Sequence, residues 1–316
     1  MNQQKRTEIF NDKKNGILPD RFPMDVTGYV EYRKDIYHLG EPEYQVEKGE
    51  VGVSADGKKR FTKDGGVWNL SCKEKYHSYE DVLNVDLLQF VIEKVNNQML
   101  NEMQHMIDEK AKTHVPVPWH YGTLLSRCEI EFGWEPLLEA SAIEPEKFSK
   151  VLDRFALSSL SVVDGWSRLD DVSLIIVHDD IAATRSLIWS PAYLRKYIFP
   201  WYKRIFDKIH ENGKKVLYIT DGNYAEIIDD LLQMGVDGLY CESSSIDPLF
   251  VTEKGGPDLF YLIKTDSKIM DYGTKEEILE EVLKLKSIHL KNPRIFSYIG
   301  GGTVNPSNLD AFNEFY

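Results

Sequence analysis

Short apolar runs in this chain end, one after another, in carboxylates or histidines. Phe22–Met24 runs into Asp25, Val115–Trp119 into His120 and Tyr121, and Leu174–Val177 into His178, Asp179 and Asp180. Val216–Ile219 ends at Thr220, Asp221, Gly222 and Asn223, Leu239–Tyr240 at Cys241 and Glu242, and Phe260–Ile263 at Lys264, Thr265 and Asp266. Carboxylates beside an imidazole suit proton transfer, because neighbouring charges shift their pKa values. They also suit zinc or a harder divalent ion as oxygen and nitrogen ligands. Asp180 and Asp221 are read as functional, with His178 beside its two aspartates as the strongest local signal. Trp119, Tyr121 and Trp189 can wall an apolar substrate or serve as ordinary core aromatics. Asp25, His120, Asp179, Asn223 and Asp266 are candidate substrate contacts. Asn223 and Thr220 equally suit capping of the next helix, His120 a structural hydrogen bond, and Cys241 a small buried position.

Such residues act together only if the fold gathers them. Beyond residue 113, β-branched runs at Val115–Tyr121, Ser173–Asp179, Lys215–Thr220, Val236–Cys241, Leu259–Thr265 and Arg294–Ile299 alternate with amphipathic segments. Continuous apolar strands are buried on both faces, as in a parallel sheet covered by helices. The helices carry clear punctuation. Ser190-Pro191 gives an N-cap and an N1 proline, Thr274 and Glu277 a capping box, and Gly213 and Gly235 stops. Pro200 should kink or split its helix. With a weak strand at Phe22–Val26 the count reaches seven, one short of a (β/α)8 TIM barrel, the α/β fold expected here. In that fold the chemistry sits at the C-terminal ends of the strands. The GxGxxG spacing of the rival open sheet is absent. Residues 51–112 read as an excursion after the first strand: hairpins at Asp56-Gly57 and Asp64-Gly65, then a long helical stretch opened by the Ser78–Asp81 capping box. Residues 1–316 are expected to form a single domain with this insertion.

Composition narrows the class of partner. The 316 residues carry 38 basic and 51 acidic side chains, a formal charge of −13, with 42% hydrophobic residues. That apolar share supports a sizeable core. The acidic balance argues against a nucleic acid or an anionic membrane as partner. No run approaches the roughly 18 apolar residues of a membrane span, and the first residues lack the apolar core of a secretion signal. Cys72, Cys128 and Cys241 form no CxxC pair. A cytoplasmic location is the expectation.

A run of motifs then resembles the uroporphyrinogen decarboxylase superfamily. HDDIAATRSLIWSPAYLRKYIFP at 178–200 is followed by ITDGN at 219–223 and LLQMGVDGLYCES at 231–243. YGTKEEILEEV at 272–282 and IGGGTVNPSNLDAF at 299–312 continue the series. Upstream, FGWEPLLEASAIEPEKF at 132–148 and Asp20-Arg21-Phe22-Pro23 also fit. The resemblance covers most of the chain, is strongest from residue 114 onward, and implies a (β/α)8 barrel.

Two branches of that superfamily differ in chemistry. The decarboxylases hold a multiply anionic tetrapyrrole with several arginines, and this chain offers only Arg21 and Arg33 near the corresponding segment. The corrinoid-dependent methyltransferases move methyl groups to or from the cobalt of a corrinoid protein. Their thiol-methylating members bind zinc through His-x-Cys and a late cysteine, where this chain has Ile219, Asp221 and glycines 300–302. The Asp-Gly-Asn variant resembles members that demethylate methoxylated or methylated substrates. The resemblance thus implies a methyltransferase that takes a methyl group from a small methylated substrate to a partner corrinoid protein. His178, Asp180, Asp221 and Glu242 would be its catalytic residues, and Asp221, Glu242 and His178 would be ligands if zinc takes part. It also implies a homodimer. The alternatives are a decarboxylase or other lyase of the superfamily acting on a small acid or tetrapyrrole, and a barrel that only binds.

Overall fold

The computed structural model describes residues 75–90, 92, 95–111, 115–292, 294–298 and 305–315, with the backbone of four short strands between residues 27 and 69. Strand β1 (Thr27–Val30) comes first. Strands β2 (Gly52–Val53), β3 (Lys59–Phe61) and β4 (Val67–Asn69) follow as a separate antiparallel sheet, Gly52 opposite Phe61 and Lys59 opposite Asn69. They flank the two Asp-Gly pairs in sequence, as the hairpin signal requires. The expected strand at Phe22–Val26, Asp25 included, lies outside the described residues.

The long helix expected after Ser78 is broken instead. The Ser78–Asp81 capping box opens α1 (Tyr79–Leu83), which stops after five residues. Asp86 then caps a single 3-10 turn, and α2 (Asn97–Ala111) starts anew. Asn84 and Asp86 explain the break, because their short polar side chains compete for backbone groups and favour caps over helix interiors.

From residue 115 the chain alternates strictly. Strand β5 (Val115–Tyr121) leads to α3 (Leu125–Phe132), α4 (Trp134–Ile143) and α5 (Pro145–Ser167). Then come β6 (Leu174–His178), α6 (Phe199–Glu211), β7 (Lys215–Ile219), α7 (Ile228–Met234) and β8 (Gly238–Glu242). Helix α8 (Pro248–Gly255), β9 (Phe260–Lys264), α9 (Ser267–Tyr272), α10 (Lys275–Lys291), β10 (Ile295–Tyr298) and α11 (Pro306–Phe315) complete it. Ser190 caps the helical entry as read, and the Thr274–Glu277 box opens α10. Pro200 does not kink a continuous helix. The chain widens into a π turn at Leu194–Ile198, and Pro200 falls in the first turn of α6, where its missing N–H costs nothing.

Seven strands form one sheet in the order β1-β5-β6-β7-β8-β9-β10, every neighbouring pair parallel. Sequential parallel order with outer helices is the wall of a (β/α)8 barrel. Among the described residues no ladder joins β10 to β1.

Alternation along the strands sorts the core into two sets. Val117, Ile176, Leu217, Ile219, Tyr240, Leu262 and Phe296 pack with one another and with Trp119 inside the wall. Their neighbours in sequence, such as Ile175, Val177, Val216, Tyr218, Leu239 and Ile263, belong to the larger cluster that includes the helices. Burying each such aliphatic or aromatic side chain contributes about 1.5–3 kcal/mol, so the alternation is strongly enforced.

Candidate active site

The same alternation, carried to the C-terminal strand ends, selects which polar residues share a rim. Counting by twos from the inner residues Val117, Ile176, Ile219, Tyr240 and Leu262 reaches Trp119 and Tyr121, His178 and Asp180, Asp221, Glu242 and Lys264. The register agrees, since Tyr121 pairs with His178, His178 with Ile219, and Glu242 with Lys264.

His178 is the hub. Its Nδ1 accepts the indole N–H of Trp119 at 3.2 Å, and its Nε2 lies 3.0 Å from Asp180 Oδ1. The Trp119 ring is 12° from parallel to the imidazole, with centroids 5.6 Å apart, and the Tyr121 ring meets it edge-on at 4.6 Å. Burial alone would lower the pKa of His178. The charge of Asp180 and the hydrogen bond to it outweigh that and raise it. The Trp119 N–H is the counterweight, because a second ring proton would put two donors face to face. Asp180 shows the mirror image. Burial pushes its carboxyl up, but His178 and the backbone N–H of Asp221, which donates to Oδ1 at 3.2 Å, bring it below its ordinary value.

Asp221 is driven the other way. Its surface opens to solvent while protein atoms crowd its remaining sides. That crowding, with the charges of Asp180 and Glu242, pushes its carboxyl up to about 6. The loop that carries it is tightly fixed. Gly222 has φ +83, and a Cβ there would lie 2.4 Å from the Ala183 carbonyl oxygen. The Asn223 N–H donates to that same carbonyl at 2.8 Å.

Glu242 supports the loop from below. Its Oε1 accepts from Lys264 Nζ at 2.8 Å, and its Oε2 accepts from Ser245 Oγ at 3.1 Å and the Gly222 N–H at 3.4 Å. Glu281, buried on α10, accepts from Ser243 Oγ at 3.2 Å and from the Asp266 N–H at 3.1 Å, tying the ends of β8 and β9 together.

These bonds decide the fit of zinc to Asp221, Glu242 and His178. Both nitrogens of His178 are engaged, one as acceptor of the Trp119 N–H, and Glu242 neutralises a buried lysine. Among the described residues no three His, Cys, Asp or Glu side chains are grouped to hold a metal ion. The three residues do not fit a zinc ion as they are arranged. Cys241 is no substitute: burial pushes its thiol up to about 12.

Several residues read as substrate contacts lie elsewhere. Asp179 is fully buried on the helix side, one step out of phase with His178. Its carboxylate accepts from the backbone N–H groups of Leu125 and Ser126 at 2.9 and 2.7 Å and from Tyr202 Oη at 2.6 Å. It closes the start of α3 rather than facing the rim, which corrects its assignment. His120 is likewise out of phase and buried, opposite Val177 of the outer set. Asn223 Oδ1 accepts the Ala225 N–H at 3.1 Å, closing the turn that leads into α7, and Asp266 Oδ1 accepts the Lys268 N–H at 2.8 Å as the N-cap of α9. Trp189 is buried against Trp134 and donates to Ser141 Oγ at 3.0 Å. Asp25 and glycines 300–302 fall outside the described residues.

Two residues escaped the sequence reading. Lys264 ends its strand in phase with Leu262, two residues before Asp266. Glu129 of α3 carries no strand-end signal at all. Burial and the charge of Asp180 raise its carboxyl to about 7. The rim therefore holds an acid near 6 beside an imidazole–carboxylate pair whose pKa values are driven apart, and Glu129 feels the charge of Asp180 from α3. That is an acid–base layout suited to work near neutral pH.

The family model of Uroporphyrinogen decarboxylase (URO-D) matches residues 118–299, more than half of the chain. No curated protein matches the chain by sequence. Among solved structures, a methyltransferase from Methanosarcina mazei superposes with a TM-score of 0.57 at 15% identity, over 79% of this chain and 71% of its own. A D-psicose 3-epimerase reaches a TM-score of 0.34 at 10% identity, over 74% of this chain and 78% of its own.

Proposed function

The chain belongs to the uroporphyrinogen decarboxylase family, and from that premise we propose that it is a methyltransferase. Its donor would be a small methoxylated or methylated molecule, and its acceptor a corrinoid carried by a partner protein. The observation that carries this reading is the acid–base layout at the rim: Asp221 near 6, beside an ionised Asp180 paired with His178. The methyltransferase of similar fold supports it.

When a methyl group leaves oxygen or nitrogen, the bonding electrons stay on that atom, which then needs a proton. Asp221, protonated, gives it. Its crowded position and the acids around it make that proton available near neutral pH. The Asp221 N–H bond to Asp180 fixes the donor's backbone, and the His178–Asp180 pair holds the neighbouring charge in place. Trp119 and Tyr121 present apolar ring surface against which a methyl-bearing group can rest. Zinc enters no step, since the residues at the rim do not fit it.

A second reading rests on the family match itself: a lyase acting on a small acid. There a carbon–carboxylate bond breaks, carbon dioxide leaves, and Asp221 protonates the carbanion. No arginine stands among the inward strand ends named above, where Lys264 is the one cation.

The test is methyl transfer from a panel of methoxylated and methylated donors to a corrinoid protein reduced to cobalt(I), run beside carbon dioxide release from a panel of small acids. Transfer that drops about 10²–10⁴-fold in Asp221→Asn supports the proposal. Carbon dioxide release with no methyl transfer replaces it with the lyase.

A further inference from the structure

Ser126 and Glu129 stand three residues apart on α3 and so share one face of the helix. That face meets the end of β6. Ser126 Oγ accepts the Asp180 N–H at 2.6 Å, while the Leu125 and Ser126 N–H groups hold Asp179. Helix α3 is therefore pinned to the strand that carries His178 and Asp180. Glu129 follows Ser126 by about one turn and is half-buried. Among the described residues no cation and no hydrogen-bond donor meets its carboxyl. Burial and the charge of Asp180 are what act on it, and both push it up, to about 7. A crowded acid whose charged neighbour is a second acid is costly to ionise. Packing does not account for it, since α3 is anchored by Leu125, Ser126, Cys128 and Phe132.

We propose that Glu129 is the store from which Asp221 is reloaded with a proton, passed across the carboxylate of Asp180. This rests on Asp221 as proton donor, the premise that both readings of the site share. The order of the groups supports it. Glu129 feels Asp180, and Asp180 accepts the Asp221 N–H at 3.2 Å and is one of the charges acting on the Asp221 carboxyl. Asp221 opens to solvent itself, but substrate and partner must take up that side during transfer. Glu129 approaches from the helix layer instead, where Leu125, Cys128 and Phe132 of α3 pack in the outer cluster. In each turnover the Asp221 O–H bond breaks, its proton bonds to the departing oxygen, nitrogen or carbanion, and the electron pair stays on Asp221. The Glu129 proton then moves to Asp180 and on to Asp221, leaving its electron pair on Glu129, and a solvent proton restores Glu129. Nothing is oxidised or reduced in these steps. Because it acts through Asp180, Glu129 is a positioning residue and not a catalytic one.

Two measurements on the full-length protein test this. The first needs no turnover: NMR titration of the Glu129 carboxyl in wild type and in Asp180→Asn. Removing the Asp180 charge should move the Glu129 titration to lower pH. The second is steady-state reaction against pH in wild type, Glu129→Gln and Glu129→Asp. At about pH 5, below both carboxyl values, Glu129→Gln should match wild type. At about pH 7, where Asp221 is mostly spent, it should fall at least about tenfold. Added imidazole, a small acid of similar strength, should restore it, and Glu129→Asp should keep most of the rate. A loss of structure alone would show at both pH values and ignore imidazole. A Glu129 titration that Asp180→Asn leaves unmoved overturns the store, and so does a working enzyme whose Glu129→Gln variant keeps the wild-type pH profile. In both cases methyl transfer by the wild type leaves the proposed function standing. A wild type that neither transfers methyl groups nor releases carbon dioxide overturns the function, and the store with it, even where the titration moves.

Discussion

Glu242 and Lys264 are direct register partners on neighbouring parallel strands, and their side chains meet at 2.8 Å with only 17% and 11% of each exposed. An ion pair so shielded cannot lose one member quietly. Lys264→Met leaves Glu242 as an uncompensated buried charge and should cost about 3–5 kcal/mol in urea denaturation. Glu242→Leu combined with Lys264→Met should recover most of that, since a well-packed apolar pair is often as stable as a buried ionic one. A double variant no more stable than the single one would show that the pair does not act as a unit.

Asp221 gives the stability curve a slope of definite sign. Its folded pKa of about 6 lies above the value of about 3.9 for an unfolded aspartate. Between those values the folded chain binds more protons than the unfolded chain, so stability is lost as pH rises from about 4 to about 6. Asp221→Asn removes that titration. The melting temperature of wild type relative to Asp221→Asn should fall across this window and stay level above it. A difference that grows with pH would contradict the assignment.

Trp119 restrains the second proton of His178. Trp119→Phe keeps an aromatic ring but deletes the N–H that meets Nδ1 at 3.2 Å. The pKa of His178 should rise further, read by NMR titration of the imidazole. Because the folded pKa already lies above the unfolded value of about 6.5, the associated stability is complete below that pH. It is lost as pH climbs through the folded value. In Trp119→Phe the loss should move to higher pH.

Gly222 holds the Asp221 loop in a conformation closed to other residues. With φ +83 and only 2.4 Å to the Ala183 oxygen, Gly222→Ala should destabilise the fold by about 1–3 kcal/mol or force the loop to move. Either outcome displaces Asp221, so any proton-donor activity should fall with it. Thermal melts and the transfer assay read the two effects separately.

The parts of this fold legible in the sequence are those with local causes. The strands from Val115 on are unbroken apolar runs because both their faces are buried, and a run of that kind needs no knowledge of its neighbours. The capping boxes at Ser78 and Thr274 were legible for the same reason, since each is complete within four residues. The helix after Ser78 was misjudged because Asn84 and Asp86 interrupt an otherwise periodic pattern. At the rim, His178, Asp180, Asp221 and Glu242 stand out in the sequence because they are polar residues that end apolar strands. Asp179 was included wrongly because proximity in sequence was read as proximity in space, although successive strand residues face opposite ways. Counting by twos from Ile176 would have excluded it, and counting from Leu262 would have picked Lys264 over Asp266. Glu129 had no signal to find. Its raised pKa comes from burial and from Asp180, more than fifty positions away, and such a neighbour becomes visible only in three dimensions.

The out-of-phase placement of His178 and Asp179 has a consequence for how this protein can change. Substitutions at the rim alter one group at a time, but a single-codon deletion inside β6 would invert the strand. The imidazole would turn toward the helices, and the carboxylate that closes α3 would swing into the barrel. The reading frame of five short strands is therefore as much a determinant of chemistry here as the identity of any one side chain. Length changes in this lineage should be confined to the connecting loops.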